Sequence, residues 1–263
     1  MTPETSSSRL LKRYSFQAHV LKEILLYRFS PKSLSSRRHL TQLKDRHRGQ
    51  RCFILGNGPS LGKTDLSHLR NEFTFGLNRI YLMFPALGFP TTYLVSVNKL
   101  VIEQCLEEIL SQPCHKFLPW GLRNDLQMNR LENLTFLQVD ALRPGFCTDA
   151  RGAMWQGATV TYIALQLAYH MGFQQAVLVG VDHSFVTSGQ PHTEVVSQGD
   201  DPNHFSPDYF GKGFRWMLPD LETSEFAYGL ARKAFERDHR EILDATIGGK
   251  LTIFPKVSYD SLF

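Results

Sequence analysis

Several signatures are missing from this chain, and each absence removes a class of protein. The four cysteines, Cys52, Cys105, Cys114 and Cys147, include no C-x-x-C pair. Neither a thioredoxin-like redox motif nor a cysteine zinc site is written here, and thiols in apolar surroundings behave as small buried hydrophobes. Nothing approaches the ~18 consecutive apolar residues of a spanning helix. The first residues are polar, with no apolar run before a small-residue cleavage site, so the expected location is cytoplasmic. No repeat, low-complexity tract or Gly-x-Ser-x-Gly hydrolase elbow occurs. His183, His192 and His204 fall at no zinc spacing, and no resident metal or cofactor is expected.

Acidic residues are scarce in one place. Residues 1–48 carry eleven Lys and Arg against Glu4, Glu23 and Asp45, a net +8, so the remaining chain holds −4 of the overall +4. A basic arm on a mildly acidic body argues against a nucleic-acid-binding body. At 263 residues, 42% hydrophobic and 12% aromatic, the chain can bury a substantial core. The expected organisation is an arm over 1–48 and one nucleotide-binding α/β domain over 49–263.

Within the arm, Leu11, Tyr14, Phe16, Val20, Leu21, Ile24, Leu25, Leu26 and Phe29 give a helical apolar stripe flanked by Lys and Arg. It suits a helix packed on the body. It also suits an interfacial helix, residues 9–48 then making peripheral contact with anionic lipid. The apolar residues interrupt the basic ones, and Ser30-Pro31 breaks the pattern.

The body is organised around Cys52-Phe53-Ile54-Leu55-Gly56-Asn57-Gly58-Pro59-Ser60-Leu61, a buried strand emptying into a tight turn. In an open α/β sheet, ligands bind at the carboxyl ends of strands, and glycines there let backbone N–H groups approach a phosphate. A helix is expected from Thr64 or Asp65. Gly62-Lys63-Thr64 imitates the end of a P-loop, but five residues separate Gly56 from Gly62 and three separate Gly58 from it, where the motif has four. Leu61 stands where the dinucleotide fingerprint needs its third glycine.

Further strands are expected at 73–77 and 92–97, so three strands end in asparagine, at Asn57, Asn78 and Asn98. Asparagine tolerates left-handed turns, so one reading is that each shapes its own loop. Together, at neighbouring strand ends, three carboxamides suit a pyrimidine edge or ribose hydroxyls. A helix over 99–111, strands over 115–118 and 134–139, and a glycine-rich lip over 144–155 follow. A strong helix over 157–171 then leads to the apolar strand 176–181, closed by Asp182-His183. The polar stretch 184–219 is too long for a plain connector and suits a lid or acceptor site. A last helix to Arg237 and a strand at 242–243 complete an α/β, Rossmann-like, mostly parallel sheet with helices on both faces.

These residues also carry a resemblance. Gly56–Leu61 resembles the opening motif of the bacterial sialyltransferases of glycosyltransferase family 42. Phe75–Tyr81 and Val95–Leu100, with Glu103-Gln104 following, are similar to their second and third strands, and Met171-Gly172-Phe173 with Ala176–Asp182 to their central segment. The same elements occur in flagellin glycosyltransferases and in the MptE-like group, related to 6-hydroxymethylpterin diphosphokinase, which the chain resembles most over roughly residues 50 to 210. The resemblance implies a nucleotide site of Gly56, Asn57, Gly58, Ser60, Asn78, Asn98, Thr159 and Asp182. Asn203-His204-Phe205 resembles the segment around the family's catalytic histidine, with His183 the second candidate base. Ser206-Pro207-Asp208 replaces that family's second histidine, and His183-Ser184-Phe185 stands where it has paired tyrosines. The function implied is metal-independent transfer of a sugar from a nucleotide-activated donor of the CMP-sugar type to a glycan or lipid-linked acceptor. Pyrophosphoryl transfer from ATP is the alternative and would need Mg²⁺ held by Asp182, Asp200 and Asp201. A binding protein without chemistry is the third reading.

Overall fold

The computed structural model describes residues 18, 20–124, 126, 132–140, 143–186 and 189–263. The expected polar leader and the first half of the arm helix lie outside these residues. Eight parallel strands form the main sheet: β1 (Arg51–Leu55), β2 (Phe73–Leu77), β3 (Tyr93–Val95), β4 (His115–Pro119), β5 (Leu134–Asp140), β6 (Ala153–Trp155), β7 (Gln175–Val179) and β10 (Glu241–Asp244). Their order is β10-β7-β1-β2-β3-β4-β5-β6. The chain therefore builds outward from β1 in one direction, then returns to β1's other side for β7. Ligand crevices in open α/β sheets form at such a reversal, outside the carboxyl ends of the strands.

The inner strands are apolar along their length because both faces are covered. Cys52 and Ile54 of β1 point into one layer, Phe53 and Leu55 into the other. On the first face lies α3 (Val160–His170), which is buried from Thr161 to His170 and has α4 (Leu221–Arg237) packed outside it. A helix this apolar all round needs such a sandwich, and α4 supplies its stripe of Ala227, Tyr228, Ala231, Ala234 and Phe235. The opposite face is covered by α2 (Lys99–Leu110) through Val101, Ile102, Cys105 and Ile109.

The short helix expected from Thr64 or Asp65 is a 3₁₀ helix, Leu66–Asn71, and another 3₁₀ turn, Pro59–Lys63, precedes it. Leu66 and Leu69, three residues apart, are both buried, and that spacing suits three residues per turn. Asp65 caps the second turn by accepting from the Ser67 N–H at 3.0 Å.

Residues 20–29 are helical, and Pro31 opens a second helix, α1 (Pro31–Leu43), as proline favours at a first turn. Tyr27 joins the layer of α2, while Leu40 and Leu43 join the layer of α3, so the arm passes from one face of the sheet to the other. Burying each of these side chains contributes about 2 kcal/mol. Within 184–219, β8 (Glu194–Val196) and β9 (Arg215–Met217) pair as an antiparallel ribbon that the polar sequence does not announce. Among the described residues no helix is long and apolar enough to cross a membrane.

Candidate functional site

A cleft of about 470 Å³ opens at the carboxyl ends of β7, β1, β2 and β3. Gly56, Asn57, Gly58, Asn78, Asn98, Thr159, Asp182, His183 and His204 all line it. Ser60 does not. It sits behind the wall and holds Asp182, donating its hydroxyl to Oδ2 at 2.6 Å and its N–H to Oδ1 at 3.1 Å.

The glycines serve this contact. A Cβ on Gly58 would fall 1.9 Å from Asp182 Oδ2, and one on Gly56 would fall 2.3 Å from the Gly180 carbonyl oxygen. The N–H groups of Gly56 and Gly58 are donated to the carbonyls of Val179 and Gly180. They are engaged inside the fold and do not face a phosphate. The N-terminus of α3, capped by Thr159 and reaching the cleft through Thr159, Val160 and Thr161, is the better anion seat, because its partial positive charge opens there.

The three asparagines differ in what they leave free. Asn98 caps α2, its Oδ1 accepting from the N–H groups of Leu100 and Val101, so Nδ2 is what it offers the cleft. Asn78 adopts a φ of 48° and accepts from the Ser96 hydroxyl at 3.1 Å. Asn57 donates Nδ2 to the Leu77 carbonyl at 3.0 Å, whereas its buried Oδ1 has no hydrogen-bond partner. A buried acceptor without a donor costs about 1–3 kcal/mol, which marks Asn57 as the floor asparagine whose pairing is incomplete.

Opposite this floor stands His204. Its Nδ1 donates to Asp201 Oδ2 at 2.7 Å, and its ring stacks on Tyr209 with centroids 4.0 Å apart. Asp201 is buried and also accepts from the N–H groups of Asn203 (2.8 Å) and Phe210 (3.0 Å). The carboxylate is thus fixed by backbone and fixes the imidazole, leaving Nε2 with its lone pair and no hydrogen bond among the described residues. That is the tautomer a general base requires. His183 is arranged differently. It takes a φ of 53°, and its Nε2 lies 2.8 Å from Glu225 Oε1 on α4.

The stretch carrying His204 is held over the cleft at three points. Phe205 N–H donates to the Asn57 carbonyl at 2.9 Å. The Arg79 guanidinium donates to the carbonyls of Asp208 and Tyr209. Gln104 pairs with the backbone of Arg215 through both ends of its amide, at 2.8 and 2.9 Å. Burial pushes the Tyr209 phenol far up, so it stays neutral beside His204. Trp216, Met217, Leu218 and Phe185 add an apolar wall to the cleft.

Asp201, Glu225, Arg79 and Gln104 carry contacts that the motifs do not reveal: Arg79 and Gln104 lie in the resembling segments without an expected role, and Asp201, three residues before His204, is expected only as a metal carboxylate. The carboxylates considered for Mg²⁺ do not converge: Asp182 is held by Ser60, Asp201 by His204 and backbone, and Asp200 is exposed. Among the described residues no three His, Cys, Asp or Glu side chains group as metal ligands. Of the three, Asp182 alone lines the cleft, so they make no preformed carboxylate pair for Mg²⁺ there.

No family model matches the sequence, and no curated protein matches it. Among solved structures, the Maf glycosyltransferase of Magnetospirillum magneticum AMB-1 aligns over 87% of this chain with a TM-score of 0.51 and 13% identity. This chain spans only 38% of that enzyme. The sialyltransferase CstII of Campylobacter jejuni, solved with the substrate analogue cytidine-5'-monophosphate, aligns over 80% of this chain and 86% of its own at 15% identity, with a TM-score of 0.42. At 13% identity the likeness to the Maf glycosyltransferase is one of fold, an α/β sheet flanked by helices.

Proposed function

We propose that the chain is a glycosyltransferase that uses a nucleotide-activated sugar, with His204 as the general base. The observation that carries this reading is the Asp201–His204 pair, set with an unpartnered Nε2 on the wall of a cleft floored by Asn57, Asn78 and Asn98. The four motifs resembling the family 42 and MptE-like proteins support it. CMP-sugars are the first donors to test, because a carboxamide floor suits the donor and acceptor edge of a pyrimidine.

In the reaction, an acceptor hydroxyl oxygen forms a bond to the anomeric carbon. The bond from that carbon to the donor phosphate oxygen breaks, and the nucleotide leaves with the electron pair. The hydroxyl proton passes to His204 Nε2, and Asp201 stabilises the imidazolium that results. Charge developing on the leaving phosphate is met by the N-terminus of α3 at Thr159 and by polar side chains of the floor. Nucleotide and acceptor occupy different walls: the asparagines hold the first, and Phe185, Trp216 and Met217 border the second. The acceptor class is a glycan or lipid-linked saccharide.

Nucleotide release from CMP-, UDP- and GDP-sugars, with and without acceptor saccharides, tests the proposal. One donor should turn over without added metal, and His204→Ala should slow it by ~10²–10⁴ while nucleotide affinity stays nearly constant. Turnover by His204→Ala at the wild-type rate would refute the assignment.

A further inference from the structure

The helix at residues 20–29 is apolar on two sides. Its inner side docks on the body through Tyr27, whose hydroxyl donates to the Phe136 carbonyl, and through Glu23, paired with Arg123 at 2.7 Å. Its outer side, with the start of α1, leaves Leu21, Leu25, Leu26, Phe29 and Leu34 exposed, Phe29 by 73%. At 100° per residue, Leu21, Leu25, Phe29 and Leu26 share one half of the helix with Lys22 and Arg28, and both of these are exposed. Further along the arm, Arg38 and Arg46 are exposed as well, while Lys44 pairs with Asp149 and Arg48 with Asp45. The acids among residues 20–48 are Glu23, held by Arg123, and Asp45, held by Arg48.

We propose that this face is a docking surface for an anionic lipid bilayer, on which the helix lies in the plane of the interface. Leucines and a phenylalanine interspersed with Lys and Arg match an interfacial helix, whose apolar side chains enter the headgroup boundary while basic ones reach lipid phosphates. The charge pattern decides against a second copy as occupant. A two-fold contact sets a patch against its own image, which would bring Lys22 and Arg28 onto their counterparts with no free acid among residues 20–48 to answer them. An anionic surface answers all of them.

The placement has a consequence. Arg123 and Trp120 follow the carboxyl end of β4, and Tyr27 packs edge-on against Trp120 at 5.4 Å. The helix therefore reaches the rim of the sheet on which the cleft opens, at β4, the strand next to β3 that leads to Asn98. For the glycosyl transfer proposed above, docking would set the cleft beside acceptors anchored in that bilayer; binding itself does not depend on that reading.

Flotation of the full chain with vesicles tests it, comparing pure phosphatidylcholine with phosphatidylcholine containing about a third phosphatidylglycerol. The chain should bind the anionic vesicles and release them at high salt. Leu25→Glu with Phe29→Glu should lower binding at least ~tenfold, and Lys22→Glu with Arg28→Glu by about fivefold or more for each charge. All four side chains are exposed, so unchanged melting temperatures confirm that the variants fold. Equal binding to both vesicle types, no binding, or variants that bind like the wild type would overturn the proposal. So would a wild-type dimer in light scattering that Leu25→Glu with Phe29→Glu converts to a monomer.

Discussion

Replacing Asp201 with Asn tests the proposed chemistry without removing the base. Asp201 presents two oxygens to three donors: Oδ1 to Asn203 N–H, and Oδ2 to Phe210 N–H and His204 Nδ1. An amide has one oxygen, so either rotamer turns its NH₂ toward a group that donates. The mismatch costs about 1–3 kcal/mol of stability. With NH₂ toward His204, Nδ1 must accept, and the imidazole proton moves to Nε2. The base then has no lone pair facing the cleft. The same carboxylate-to-amide change in serine proteases lowers turnover ~10⁴-fold by imposing the wrong tautomer. The expectation here is ~10²–10⁴, equivalent to about 3–5 kcal/mol of barrier. Turnover should fall while nucleotide affinity holds, since Asp201 lies behind His204. Nitrogen-15 NMR of labelled histidine gives a readout independent of the donor: the His204 proton sits on Nδ1 in the wild type and on Nε2 in the variant. Turnover within about threefold of wild type would refute the positioning role, as would an unchanged tautomer.

Gly58→Ala places a Cβ 1.9 Å from Asp182 Oδ2, which must displace that carboxylate from Ser60; a loss of ~1–3 kcal/mol in urea unfolding is expected, and a neutral result would contradict the close approach. Stability should also fall in mild acid. Burial, with His39 and Lys116 nearby, lowers the His115 pKa from 6.5 to about 3, and burial also lowers His39, His47 and His170. The unfolded chain then binds more protons below pH 6.5, so this stabilisation is complete above that pH and is lost as pH falls toward about 3. A drop of order 2 kcal/mol by about pH 5 should appear in unfolding curves, and Phe in place of His115 should reduce it; a flat profile would be inconsistent with these buried neutral imidazoles. Tyr27→Phe removes the hydroxyl that satisfies the Phe136 carbonyl and should cost ~1 kcal/mol, read by faster proteolysis within residues 20–29, and unchanged cleavage would show that Tyr27 does not anchor the helix.

The sheet was legible because its strands write themselves plainly. Continuous apolar runs such as Cys52–Leu55 and Ala176–Val179 belong to strands buried on both faces, and the asparagines after them mark the carboxyl ends where the cleft opens. The same asparagines show why a residue type does not decide its own role. Asn98 is a helix cap and Asn78 a left-handed turn, and only Asn57 keeps a buried acceptor free. Ser60 lies in the motif yet faces away from the cleft, because its partner Asp182 is 122 residues distant and no local pattern encodes it. The strands of the β8–β9 ribbon are three residues long and half-buried to exposed, too short to show an apolar period. The Asp201–His204 pair depends on how that loop folds, which rests on the distant anchors Arg79, Gln104 and the Asn57 carbonyl. The arm mixed apolar and basic residues without segregating them, and the structure gives the reason: one apolar side is buried through Tyr27, while the other shares the exposed surface with Lys22 and Arg28.

Calorimetric titration of the wild type and of Asn57→Ala with CMP, UDP, GDP and ATP, each with and without Mg²⁺, tests the central claim most directly. The account predicts metal-independent binding of CMP that weakens about tenfold or more in the variant, which lacks the buried Oδ1 left without a partner in the cleft. Binding only of ATP with Mg²⁺, or CMP affinity indifferent to Asn57, would contradict it.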